Sequence, residues 1–423
     1  MPEPDVAATT EAAARLWAQG RQDEAIALFA ALQRQRRDDP ALTLRLGVAL
    51  LAAGRLREAL PELERAVVLA PGDQAALAQL DRALGAVHGQ GSMPEAIPAL
   101  QARLAEAPED HNRRVRLAAA LLANGRFDEG WPQYAWRWKG MAEEWRQPAD
   151  PLSRPEPEAW RGRRVLLFAE QGFGDTLQFL RYVPMVQAIA AEVVVEVQPA
   201  LTRLAATLPG APMVVGQGDP VPAHDVAVPL LHLPWAFGTT PDTIPGGVPY
   251  LAAGPAAVAR WRARLGGLPG LKVGLAWAGD PRPQDRAAHR VDRRRSMTLA
   301  ALAPLGEVPG VSFVSLQMGA AAAQARPEGM VLHDWTGELH DFADTAGLMQ
   351  ALDLVITVDT ACVHLAGALG RPVWMMNRFD SCWRWLRERA DSPWYPTLRI
   401  FRQAAPGEWG AVVGEVRKQV VLF

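Results

Sequence analysis

The chain reads as an α + α/β protein: a helical repeat array, then two α/β units with parallel strands. Three observations predict it. In the first third, Gly54-Arg55 follows Gly20-Arg21 by 34 residues, and Gly125-Arg126 follows Gly91 by the same 34. A short apolar run at residues 165–169 meets a glycine turn and then an amphipathic stretch, the pattern of strand, turn and helix. Residues 354–376 repeat that pattern and close on another apolar run.

Composition narrows the function classes. The 423 residues suffice for about two or three domains. Hydrophobic residues at 49% can fill a sizeable core, and charged residues at 21% suit a soluble protein. A formal net charge of −2 supplies no basic field for nucleic acid or anionic lipid. Cys362 and Cys382 form neither a metal-type cluster nor a disulfide framework, which fits a reducing compartment. Residues 1–11 lack a basic segment followed by an apolar one. No uncharged apolar run approaches the ~20 residues of a membrane span. The expected location is the cytoplasm.

Residues 9–140 hold roughly four repeats. Around Gly54 the pattern is Leu46-Gly47, Leu50, Ala59, Leu63, Ala66 and Pro71, and its members recur around Gly20, Gly91 and Gly125. This closely resembles the tetratricopeptide repeat. Small residues at these spacings let the two helices of a repeat pack closely, and the proline ends the second. Such an array holds a peptide on its concave face, or serves as a platform on which the rest of the chain docks. Trp131, Trp136, Trp138 and Trp145 cluster at its end, placed to cement it to the next domain.

Residues 141–159 read as a linker, proline-rich over 147–157. The first α/β unit, 160–255, opens with the apolar strand at 165–169 and the turn Gly172-Phe173-Gly174-Asp175. Gly172 and Gly174 allow close backbone approach to whatever sits above the strand end. Asp175 either caps the following helix, with Thr176 as the other candidate, or presents a carboxylate at the carboxyl edge of an open sheet, where α/β proteins bind ligands. A strand at 192–198, a helix at 201–208 and short strands at 213–215 and 225–228 follow.

The second unit, 256–423, begins with a strand at 272–277 that ends at Trp277 and Gly279. Six arginines lie between Arg282 and Arg295, either a solvated face or an anion clamp. Strands at 311–317, ending in Gln317, and at 330–333 precede the acidic group Asp334, Glu338, Asp341 and Asp344. A strand then ends at Asp359, and a helix starts at Thr360 with His364 on the same face. The amides of that helix start form an anion site suited to a diphosphate. Read alone, the same residues are a helix cap and a core histidine.

Together, Gly172–Asp175 and Asp359-Thr360-x-x-x-His364-Leu365-Ala366 resemble the ADP-heptosyltransferase family, glycosyltransferases of the GT-B fold with two Rossmann-like domains. Residues 274–279, 313–317, 341–345 and 392–401 support the resemblance, and the whole chain resembles bacterial proteins that join tetratricopeptide repeats to such a domain. It implies that Asp175 is the general base and that residues 360–364 cradle the donor diphosphate. Gly172, Gly174, Trp277, Gly279, Arg282, Arg295, Gln317, Asp341, Asp359, Thr360 and His364 are then expected around the nucleotide. Two departures stand out. The first α/β unit is short, so its acceptor-binding part is reduced or replaced by the repeats. The family's lysine after the first strand of the second half is absent, and arginines stand there.

The expected reaction is inverting glycosyl transfer from a nucleotide-sugar donor, without a cofactor or metal, to a protein held by the repeats. A non-catalytic adaptor, a nucleotide-sugar epimerase and a transferase for a glycan or lipid-linked acceptor are the alternatives. The sequence is compatible with a monomer or an oligomer.

Overall fold

The structure, a computed structural model, describes residues 6–70, 72–86, 94, 96–141, 146–404 and 407–423. Pro71, Gly91 and Trp145 lie outside the described residues, as do the side chains of Arg286 and Arg290.

The first part is a run of paired helices. These are α1 (Val6–Ala18) with α2 (Gln22–Gln35), α3 (Pro40–Ala52) with α4 (Leu56–Leu69), α5 (Gln74–Ala86) with α6 (Ala96–Glu106), and α7 (His111–Ala123) with α8 (Phe127–Tyr134). The recurring Gly-Arg pair has a physical cause. Gly20, Gly54 and Gly125 take φ of +78°, +76° and +76°, the left-handed conformation that lets the chain reverse between paired helices. The next residue then reaches the acid three positions on: Arg21 to Glu24, Arg55 to Glu58 and Arg126 to Glu129, at 2.5–2.7 Å.

Each α/β unit is a parallel sheet. The first has the order β3-β2-β1-β4, with β1 (Arg164–Phe168), β2 (Glu192–Val197), β3 (Met213–Gly216) and β4 (Val226–Pro229). The second has the order β10-β9-β8-β5-β6-β7. Its strands are β5 (Leu271–Ala276), β6 (Val311–Ser315), β7 (Leu332–His333), β8 (Leu354–Val358), β9 (Val373–Asn377) and β10 (Leu398–Arg402). Strand order reverses beside β1 and beside β5, so each sheet has its ligand crevice there: β1 against β4, and β5 against β8. Two doubly wound halves that meet across their carboxyl edges are the GT-B arrangement.

Several local expectations change. Asp175 is not the residue that starts its helix; Gly172 is the N-cap of Phe173–Phe179, and Asp175 stands in the first turn. The helix expected over 201–208 shrinks to Thr202–Ala205 behind a 3₁₀ turn at Pro199–Leu201. The arginine run forms a helix, Arg286–Arg295. β10 and the helix Trp409–Leu422 complete the second half.

The array does not hang free. α7 turns Leu117, Ala120 and Leu121 into the array core, and Ala118 and Leu122 into the α/β core. Phe127, Trp131 and Tyr134 of α8 are buried in the α/β core as well. Trp131 donates to the Thr239 carbonyl at 2.9 Å, and Trp138 packs edge-on against Phe168 of β1. Trp136 faces back to the array, under the Arg114 guanidinium at 4.0 Å.

Candidate active site

The site begins at the end of β1. The strand delivers Glu170 and Gln171 to the carboxyl edge, and Gly172 turns the chain into the helix Phe173–Phe179. Asp175 bends back over that turn and accepts the Gly172 N–H at 3.0 Å. Its other oxygen accepts from the guanidinium of Arg384, which comes from the second half. The carboxylate keeps 20% of its side-chain surface exposed. Burial works against the charge of Arg384, but Asp175 together with Cys382 and Tyr134 outweighs it and holds the guanidinium firmly protonated.

Facing it is the helix Ala361–Ala368, whose N-cap is Thr360. His364 projects from this helix against Gly174, where a Cβ would stand only 2.7 Å from the imidazole. A glycine is therefore required for the two halves to come this close. His364 is buried, its Nδ1 lies 3.0 Å from the Tyr395 hydroxyl, and its ring is 5.1 Å from that of Trp385. Burial first, then the charges of Arg384 and Arg181, push its pKa well below the usual histidine range, so it is neutral. Cys362 on the same helix is pushed up to about 11 by burial, which makes it an inert thiol.

The donor-side expectations connect to this pair. Asp359 offers its carbonyl to Arg295 at 3.1 Å, and Arg295 also pairs with Asp292 at 3.0 Å. Gly279 lies directly against that pair. Gln317 is spent on the backbone: it accepts from the Trp277 and Ala278 amides and donates to the Ala278 and Met318 carbonyls. Trp277 is buried beneath it. A continuous chain of contacts thus runs from Trp277, Gln317 and Gly279 through Arg295, Asp359, Thr360 and His364 to Gly174, Asp175 and Gly172. Two expected residues stand apart. Arg282 contacts Asp280 through its backbone amide. Asp341 caps the helix Phe342–Ala351 and receives Arg203 of the first half at 2.9 Å.

Asp334 is held in a local turn with Thr336. Phe173 and Phe342 meet across the cleft at 4.9 Å between ring centroids. The halves are thus joined at the mouth by an aromatic pair and an ion pair, and at depth by His364 against Gly174 and Arg384 against Asp175.

Sequence reading missed Arg384. It stands in Trp383-Arg384-Trp385, just before Arg387-Glu388-Arg389, and no motif in that stretch sets it apart. It also missed Arg137, whose guanidinium leaves the array to meet Glu170 at 2.6 Å, both groups buried. A cavity of ≈ 290 Å³ lies elsewhere, where Leu51, Gly54 and Leu56 of the second repeat face Arg293, Phe379 and Gln403. Neither Asp175 nor Thr360 lines it.

Residues 16–84 match the family model of the tetratricopeptide repeat. The N-terminal array is built of tetratricopeptide repeats. Over 447 residues the chain is 29% identical to Protein FlbA of Caulobacter vibrioides, covering 97% of this chain and 72% of that protein. Among solved structures, it is similar to a glycosyl transferase family 9 protein of Veillonella parvula DSM 2008, with 9% identity, 62% of this chain and 95% of the other covered, and a TM-score of 0.43. It is also similar to the E. coli ADP-heptose LPS heptosyltransferase II, with 13% identity, 61% and 98% covered, and a TM-score of 0.40. A third similar structure is the iron-containing dodecameric glycosyltransferase TibC of enterotoxigenic E. coli H10407, with 12% identity, 62% and 76% covered, and a TM-score of 0.41. Among the described residues, no helix is long and apolar enough to cross a membrane.

Proposed function

We propose that the protein is a glycosyltransferase that moves a sugar from a nucleotide-sugar donor to an acceptor hydroxyl. The observation that carries this reading is the meeting of the two motifs: His364 and the Thr360 helix start on one half, Gly174 and Asp175 on the other, in contact across the cleft. In this reading the amides at the start of Ala361–Ala368, with Arg295 and Gly279 behind them, receive the diphosphate. Thr360 contributes its hydroxyl. His364, being neutral, orients through a hydrogen bond and adds no charge.

Asp175 is the base. Each of its oxygens has one protein donor, which fixes the carboxylate plane and leaves the remaining lone pairs for an acceptor O–H. As the acceptor oxygen attacks, the bond from the sugar to the diphosphate breaks on the opposite face, giving inversion. Asp175 takes the proton, and the nucleoside diphosphate carries away the bonding pair. Within the same proposal the acceptor is a protein held on the repeats, in the cytoplasm, and no metal is required.

The test is a thermal-shift screen of the full chain against ADP-, GDP-, UDP- and dTDP-sugars, because a bound donor stabilises by mass action. At a hundred times the dissociation constant a ligand adds about 2.7 kcal/mol, a shift that is readily detected. A flat response to all four nucleotide classes would remove the reading and leave the adaptor.

A further inference from the structure

Three units of this chain meet at one short turn, Trp383–Trp385. Trp383 is buried and belongs to the array side: its ring lies 5.4 Å from Trp131 and 5.7 Å from Tyr134, edge-on to both. Arg384 reaches into the first α/β half. Its guanidinium is paired with Asp175, donates to Gln178 at 2.9 Å, and lies over the Trp383 ring at 4.2 Å. Trp385 belongs to the second half, with its ring against His364.

The turn is held in place with some force. Leu386 and Glu388 both take positive φ, +48° and +53°, a conformation that non-glycine residues rarely adopt. Arg402 of β10 secures it by donating to the Trp385 and Leu386 carbonyls at 2.8 Å and to Ser381 at 2.7 Å. A flexible surface loop would relax away from such angles.

Resting on the glycosyltransferase reading, we propose that Arg384 is the positioning residue of Asp175, and that the repeat array sets it through Trp383. The physical argument has two steps. A carboxylate held only by the Gly172 amide keeps some freedom at its other oxygen, and a forked guanidinium that also grips Gln178 removes it. That guanidinium rests on the Trp383 ring at 4.2 Å, nearer than the Phe179 ring at 6.0 Å, so a shift of Trp383 removes its main packing face. The ring in turn is wedged by Trp131 and Tyr134, which α8 supplies. The array is then part of the support of the base as well as a surface for a partner, and a protein bound to the array has a packed path to the site.

The experiment uses the full chain in four forms: Arg384→Gln, Arg384→Lys, Trp383→Leu and Trp383→Phe. Backbone hydrogen exchange is read over residues 172–180, where loss of support appears as faster opening. ADP affinity is read by calorimetry. Where the parent turns over a nucleotide sugar, kcat and KM are read separately. Arg384→Gln should raise exchange over 172–180 by about tenfold or more and lower kcat by a similar factor, with ADP affinity and donor KM within about twofold.

Arg384→Lys should recover part of both, since it restores the charge but not the fork. Trp383→Leu should copy Arg384→Gln, and Trp383→Phe, which keeps a ring, should not. Parent-like exchange and turnover in Arg384→Gln would overturn the proposal. So would ADP affinity falling in step with kcat, which would make Arg384 a donor ligand. Should Arg384→Gln fail to fold, equal exchange in the two Trp383 variants refutes the relay. A parent that turns over no nucleotide sugar removes the transferase reading, and the exchange comparison still decides whether Arg384 positions Asp175.

Discussion

Replacing Gly174 by alanine tests whether the two halves meet as described. The added Cβ would stand 2.7 Å from His364 Cδ2, where ordinary contact begins at 3.4 Å, so one group must move by 3.4 − 2.7 = 0.7 Å. His364 has little room, since Tyr395 and Trp385 hold it from the other side. Overpacking of this kind costs about 1–3 kcal/mol, and alanine in place of a helical glycine returns about 0.5–1 kcal/mol. The net expectation is a loss of roughly 0–2.5 kcal/mol. Gly414, inside Trp409–Leu422, is the control: a Cβ there meets nothing within 4 Å, so Gly414→Ala should stabilise by up to about 1 kcal/mol. Urea unfolding of both variants at constant m gives the comparison. Adding His364→Ala to Gly174→Ala should recover the clash energy as a non-additive term. If Gly174→Ala is as stable as Gly414→Ala, or if the double variant is additive, the two motifs do not touch in solution.

Two further outcomes follow from buried charge. Arg137→Ala would strand the buried carboxylate of Glu170, at a cost of about 3–5 kcal/mol, whereas Arg137→Leu with Glu170→Leu should cost much less; thermal melts separate the two. His364 and His232 are both buried and, by desolvation first, both held well below the usual histidine range. Their folded pKa values lie below the unfolded value of 6.5, so the unfolded chain takes up protons first. Stability is then fully present above pH ~6.5 and falls below it, by roughly 1 kcal/mol per histidine at pH 5.5. Unfolding free energies at pH 7.5 and 5.5 measure the fall, and His364→Gln should remove about half of it.

Much of the architecture was legible because local rules and tertiary structure agree. The Gly-Arg recurrence marked the turns of the array, since only glycine takes φ near +77° at no cost and the following arginine has a local acid to bind. The strand at 165 and the unit at 354 were visible as apolar runs cut by glycine. What stayed hidden depends on partners far away in sequence. Nothing local distinguishes Arg384 from Arg387 or Arg389; only the fold brings it to Asp175, 209 residues away. Gln317 was expected at the nucleotide, yet its amide is used up by strand-end backbone, a role that needs β5 beside β6. β10 carries Arg399 and Arg402 within five residues, so its apolar pattern was masked by charge.

The most direct test of the central claim is release of nucleoside diphosphate by the full chain from whichever nucleotide sugar stabilises it, compared with Asp175→Asn. Asparagine keeps an oxygen for the Gly172 amide but can neither take a proton nor neutralise Arg384, so a thermal melt of the variant accompanies the assay, and in the folded variant general-base assistance, commonly worth roughly a hundredfold or more, is lost. The account predicts turnover by the parent, a fall of at least about a hundredfold in Asp175→Asn, and nearly unchanged binding of the released nucleoside diphosphate. Turnover by Asp175→Asn within a few-fold of the parent would contradict it.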